Sequence, residues 1–197
     1  MNHLMVNIST LLIVAASAIQ LSLWFKPPYH WLAVTCLILL SVILPVADSN
    51  PWLWINGAVG ELSVMTMILL AGFILRKLAG LSLTGFYTRV HIYLLIFITG
   101  LLLFPATLGL TQFDPYSLGY GFELSLLLLA LSILYWILQQ RQLAVILLIV
   151  VAADEIGILS SNNTWDYLID PLLWIISPVM LVIMYLGGEG LTEQEAE

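Results

Sequence analysis

The sequence predicts an all-α polytopic membrane protein, a bundle of about seven transmembrane helices with the N-terminus outside and the C-terminus cytoplasmic. Three observations predict it. The 197 residues are 61% hydrophobic and only 9% charged, whereas charged residues make up about 25% of soluble domains, and the mean hydropathy is +1.06. Apolar runs of roughly twenty residues recur from end to end, the length at which a helix crosses about 30 Å of hydrocarbon. A barrel would instead need alternating segments of roughly ten residues. Finally, Lys26, Arg76, Lys77, Arg89 and Arg141, the only Lys and Arg residues, all fall in or beside the first, third or fifth connection between apolar runs. The second, fourth and sixth connections contain no basic residue. Basic residues mark the cytoplasmic face, and this parity sets the orientation.

The expected spans cover residues 4–24, 31–47, 52–75, 91–110, 116–139, 142–160 and 171–187. The first lacks the basic flank and cleavage site of a signal peptide, so it is expected to be retained. Lys26-Pro27-Pro28-Tyr29 ends it, because proline clashes with the preceding turn and has no backbone donor. The second span holds Cys36, the only cysteine. A single cysteine excludes an intrachain disulfide or a thiolate cluster, and Cys36 is expected as a small core residue. The longer connection from Arg76 to Val90 mixes Leu78, Leu81, Leu83, Phe86 and Tyr87 with bases, the composition of a short segment in the headgroup layer. Gly80 and Gly85 interrupt it. Gln139-Gln140-Arg141-Gln142 is a tight turn, so the fifth and sixth spans should be antiparallel neighbours, as should the first and second. Residues 1–187 form one domain, and residues 188–197, with Glu189, Glu193, Glu195 and Glu197, form a cytoplasmic tail expected to be disordered.

One device recurs on the outer side. Asn50-Pro51, Asp114-Pro115 and Asp170-Pro171 each precede a span entering from outside, and Asn or Asp followed by Pro is a helix start. Trp52, Trp54, Tyr116, Tyr120 and Trp174 lie close by, at the boundary such rings favour. Beyond this cap the three hairpins share no similarity.

The candidate proton, cation or ligand site is acidic: Glu61, Glu123, Asp154 and Glu155. Counted at 1.5 Å per residue, Glu61 lies about 15 Å below Pro51, Glu123 about 12 Å below Pro115, and the Asp154–Glu155 pair about 20 Å above Arg141. An unpaired carboxylate at such depth costs on the order of 2.5–3.5 kcal/mol. It must face a wet cavity or the bundle interior, or else protonate. The competing reading is that the spans start later and the acids are ordinary first-turn charges favoured by the helix dipole; it weighs most for Glu123, which follows Gly119 and Gly121. Gly57, Gly60, Ser63 and Gly157 beside these acids read as small faces for close helix contact.

Two weaker candidates remain. His30 and His91 open the second and fourth spans at the cytoplasmic boundary, where a pair of imidazoles could ligate haem or a metal. No supporting polar shell accompanies them, so neither a metal nor a cofactor is expected. In the polar segment from Ser160 to Asp170, Trp165, Asp166 and Tyr167 could form an outer interaction patch, or a loop whose rings anchor at the interface. Asn162-Asn163-Thr164 matches a glycosylation pattern, which matters only in the secretory pathway.

Phosphate loops, zinc-protease and serine-hydrolase motifs and cysteine pairs are all missing from the sequence. Five scattered bases exclude nucleic acid as a partner. The leading expectation is a non-enzymatic accessory, scaffold or assembly subunit of a membrane complex in the plasma membrane (the inner membrane, if the cell has two). Its partners would be the lipid bilayer and another membrane protein or a second copy. The alternative is a small proton- or cation-coupled transporter working through the intramembrane carboxylates. A lipid-acting enzyme would need Asp154–Glu155 and His91 to converge, and the topology puts them on opposite sides.

Overall fold

Every regular element is helical: the computed structural model describes residues 3–22, 36, 39–40, 51–110 and 112–187, and no strand occurs among them. In chain order the elements are α1 (His3–Ser22), α2 (Pro51–Val59), α3 (Val64–Ala79), α4 (Phe86–Thr107), a 3₁₀ segment (Pro115–Tyr120), α5 (Glu123–Ile137), α6 (Arg141–Ile156), α7 (Thr164–Leu168) and α8 (Pro171–Gly187). Of these, α1 and α4 are long and apolar enough to cross a membrane. The Lys26-Pro27-Pro28-Tyr29 turn, most of the expected second span, His30 and the acidic tail lie outside the described residues. Cys36, expected in a core, is helical and exposed.

Five helix ends, those of α2 to α6, follow one rule. The five described residues with left-handed φ, namely Gly60, Gly80, Gly109, Gln139 and Gly157, stand just beyond the ends of α2 to α6 in turn. After α4, for example, the Gly109 N–H donates to the Ala106 carbonyl (2.9 Å) and the Leu110 N–H to the Pro105 carbonyl (3.0 Å). These are the two reverse bonds that close a helix C-terminus when its first following residue turns left-handed. Gln139 repeats the pattern after α5 at φ 62° without being glycine.

Several expected boundaries move. The third span is not continuous: α2 stops at Val59 and α3 starts at Val64, with Gly60 at φ 63° between them. A left-handed residue cannot propagate a right-handed helix. The fourth helix begins at Phe86, five positions before 91, so it takes in the last part of the connection expected from Arg76 to Val90, and Arg89 is buried within it. The fifth begins at Glu123 rather than 116, because residues from Pro115 form the 3₁₀ segment. The sixth ends at Ile156 rather than 160. The seventh keeps its expected limits.

The residues fall into two compact units, Met1–Leu62 with Thr66–Leu83, and Ser63–Met65 with Thr84–Glu197. In the first, α1 meets α2 through polar side chains. Asn7 Oδ1 accepts from Trp52 Nε1 (3.1 Å) and from Asn56 Nδ2 (3.0 Å), and Thr10 donates to Asn56 Oδ1. Ser9 Oγ accepts the Leu62 N–H at 3.0 Å, satisfying backbone released by the helix break. Ala15, Ala18 and Ile19 pack against Phe73, Ile74 and Leu78.

In the second unit α5 and α6 form an antiparallel hairpin. Ser132 Oγ donates to the Ala144 carbonyl at 2.9 Å, a small-residue contact that lets the two helices approach closely. α4 lies on α8, where the Trp174 ring sits 4.7 Å from the Phe104 ring and covers Gly100 so closely that a Cβ there would stand 2.1 Å from it. The starts of α4 and α6 adjoin: Gln142 Oε1 accepts from the Gly85 N–H (2.8 Å) and from Thr88 Oγ1 (3.0 Å). That contact caps α4, whose own N-cap glycine has no side chain to do so.

Candidate functional site

The polar centre of the second unit is a knot where the 3₁₀ segment, the start of α5, the end of α6 and α7 meet. Local rules position its members. Asp114 accepts the Tyr116 N–H at 3.0 Å and starts the 3₁₀ segment. Asn163 accepts the Trp165 N–H at 3.0 Å and starts α7, while its amide nitrogen donates to the Tyr116 carbonyl at 3.0 Å. Both are short side chains capping a helical turn. Gly119 must be glycine for this contact, since a Cβ would stand 1.9 Å from Asn163 Oδ1.

Two carboxylates sit in the knot, each met by hydroxyl donors. Asp154 Oδ2 accepts from Thr164 Oγ1, which has the Ser125 hydroxyl at 3.4 Å and the Gly119 carbonyl at 3.2 Å. Asp166 accepts from the Tyr116 phenol through both oxygens (3.1 and 2.9 Å) and from the Ser161 hydroxyl. Tyr116 precedes α5, and its phenol is pushed well above the usual tyrosine range, first by burial and then by the Asp166 hydrogen bond and charge. The neutral phenol is therefore the form the site holds, and it serves as a donor. Tyr167 is fully buried; its hydroxyl lies 3.1 Å from the Ser161 carbonyl and accepts the Leu159 N–H at 3.2 Å.

Within the second unit the acidic candidates Glu123, Asp154 and Glu155 have different surroundings. Glu61 lies in the first unit, on the break between α2 and α3, and is half-buried. Glu123 is exposed as the first residue of α5, the first-turn position that the competing reading describes. Asp154 joins the knot. Glu155 is exposed in the last turn of α6, the helix end where the dipole disfavours an anion. Of the expected outer patch, Tyr167 is buried and Asp166 is half-buried, engaged by Tyr116 and Ser161. Trp165 donates through Nε1 to the Pro115 carbonyl at 2.9 Å.

His91 has Nδ1 2.7 Å from the Tyr87 carbonyl and its ring edge-on to Tyr135 at 6.1 Å. A carbonyl can only accept, so Nδ1 carries the proton. His30 lies outside the described residues, and among those residues no cluster of three or more His, Cys, Asp or Glu side chains could hold a metal ion.

Reasoning from sequence did not assign Tyr116, Ser125, Ser161 or Thr164 to a site. Asn163-Thr164-Trp165-Asp166 carries a cap signal, a short polar acceptor before a helical turn, that could have located α7. Nothing local ties that turn to Ser125 or Asp154.

Asp170 anchors the other side of the unit. It is buried, and its Oδ1 accepts the Leu173 N–H at 2.8 Å, the cap expected for α8. Its Oδ2 accepts the Ser63 N–H at 3.0 Å. No protein-family model matches the chain, and comparison with curated proteins and with solved structures likewise gives no match.

Proposed function

We propose that the chain is a polytopic integral membrane protein of seven crossings, N-terminus outside, that works as a non-enzymatic accessory or scaffold subunit within the bilayer. The observation that carries this reading is an inverted distribution of side chains. On α5, Leu126, Ile133, Leu134 and Ile137 are exposed while Ser125 and Ser132 are buried. On α8, Ile175, Val179, Val182 and Ile183 are exposed while Ser177 is fully buried. A water-soluble monomer seldom exposes contiguous apolar area beyond a few hundred Å²; such faces need lipid or another apolar helix against them.

The orientation draws support from the second unit, where bases and acids separate. Arg89 and Arg141 lie at the end joined by Gln142, and Asp114, Asp154 and Asp166 lie at the knot. The accessory role draws support from the carboxylates. Asp154 and Asp166 are engaged by hydroxyls, and Glu123 and Glu155 are exposed. The partner is a second copy or another membrane protein, and nucleic acid is not among the partners.

Purification of the full chain from its own membranes in mild detergent tests the role. A companion protein retained in fixed proportion, or a stable homo-oligomer, is the expected result. The transporter alternative rests on one observation, the backbone break beside Glu61, since non-helical backbone at membrane depth belongs where protein or a wet cavity surrounds it. Proton or cation flux in vesicles containing the purified chain, lost in Glu61→Gln, would establish the transporter and displace the accessory reading.

A further inference from the structure

The second unit contains an almost wholly apolar groove. It lies between the C-terminal half of α4, the 3₁₀ segment, α5 and α7, and has a volume of about 380 Å³. Its walls include Leu101, Leu102, Pro105, Leu118, Leu127 and Trp165. The indole N–H of Trp165 is already donated to the Pro115 carbonyl, so that ring offers the groove only its apolar body.

We propose that this groove seats one acyl chain of a bilayer phospholipid. The inference rests on the bilayer reading above and names a ligand for it. Three features select this occupant. The walls offer aliphatic and aromatic contact and no group to orient a sugar, phosphate or peptide. The rim residues Leu102, Leu127 and Phe113 are exposed, so the groove opens onto the same apolar faces of α4 and α5 that the bilayer would cover. The space is also too small for a partner helix, whose diameter with side chains is about 10–12 Å, while it sits at the lower end of small-ligand pockets, about 300–1,000 Å³. An unfilled apolar groove forfeits dispersion contacts and gives water no polar partner; a chain methylene run supplies the first and excludes the second.

The test uses the full chain in vesicles of phosphatidylcholine brominated on the acyl chains, which quench indole fluorescence on contact. Differences between the native chain and Trp165→Phe, and between the native chain and Trp136→Phe, isolate the two signals. Trp136 is an exposed ring on α5 outside the groove and reports ordinary lipid contact. The expected result is a larger fractional loss of the Trp165 signal than of the Trp136 signal, reduced for Trp165 alone when Leu127→Phe or Leu102→Phe fills the groove. Equal or weaker quenching of Trp165, or quenching unmoved by both filling variants, overturns the acyl-chain site while leaving the bilayer reading intact. Absence of quenching at both rings overturns the bilayer reading and the site with it.

Discussion

Asp170 does two jobs with one carboxylate. It accepts the Leu173 N–H within its own helix start and the Ser63 N–H from 107 positions earlier. The first job is legible in the sequence as Asp170-Pro171. The second is not, because no local pattern links residues so far apart. Removing a buried charged acceptor strands both donors, so Asp170→Ala is expected to cost about 2–4 kcal/mol, against about 1 kcal/mol for the exposed cap Asp114→Ala. Thermal unfolding of the two variants side by side checks the ranking.

Tyr116 gives a pH signature. Its phenol is raised in the folded chain and titrates near 10 when unfolded. A raised pKa favours the folded state fully below the unfolded value, and the contribution is lost as pH rises through the folded one. Stability of the native chain should therefore fall more steeply above about pH 10 than that of Tyr116→Phe, as measured in denaturant titrations. Identical slopes for the two proteins would remove Tyr116 as the cause.

At the scale of elements, the helix ends are the clearest structure and were the least legible. Gly57, Gly60 and Ser63 read as one small packing face, yet Gly60 alone ends a helix. Hydropathy averaged over a window cannot see a single φ, and the Ser9 and Asp170 side chains that satisfy the Leu62 and Ser63 N–H groups come from distant parts of the chain. Gly60→Ala should destabilise by about 1–2 kcal/mol because it forces a Cβ into left-handed backbone. Gly57→Ala, inside α2 with open space around it, should instead stabilise by roughly 0.5–1 kcal/mol. A similar effect for both would mean that α2 and α3 are one helix. Gln139→Gly, which relieves the only non-glycine residue of this kind among those described, is expected to raise stability by up to about 1 kcal/mol. Caps read better than breaks: Asp114 and Asp170 both accept the expected N–H bonds, although Asp114 starts a 3₁₀ segment instead of the fifth span.

For the whole molecule, composition alone made the helical class legible, since apolar runs of this kind form helices wherever backbone groups cannot reach water. Crossing number was less so. α5, α6 and α8 have 15, 16 and 17 residues, about 22–26 Å at 1.5 Å per residue, short of a 30 Å core unless flanking turns help to fill it. The charge parity reaches further than any single run. It placed Arg89 and Arg141 together, and in the second unit the starts of α4 and α6 meet through Gln142. The acids were legible as anomalies but their fates were not, because whether a carboxylate meets a hydroxyl, a backbone N–H or open surface depends on where other helices end.

The central claim is that the two ends of the second unit face opposite sides of a bilayer, and site-directed thiol labelling tests it most directly. With Cys36→Ser as background, Gln139→Cys marks the α5–α6 turn and Asn162→Cys the loop before α7, both at exposed positions. Treated with a membrane-impermeant maleimide, intact cells should label Asn162→Cys at once and Gln139→Cys only after permeabilisation. Labelling of both before permeabilisation, or of neither, or in the reverse order, would contradict the account.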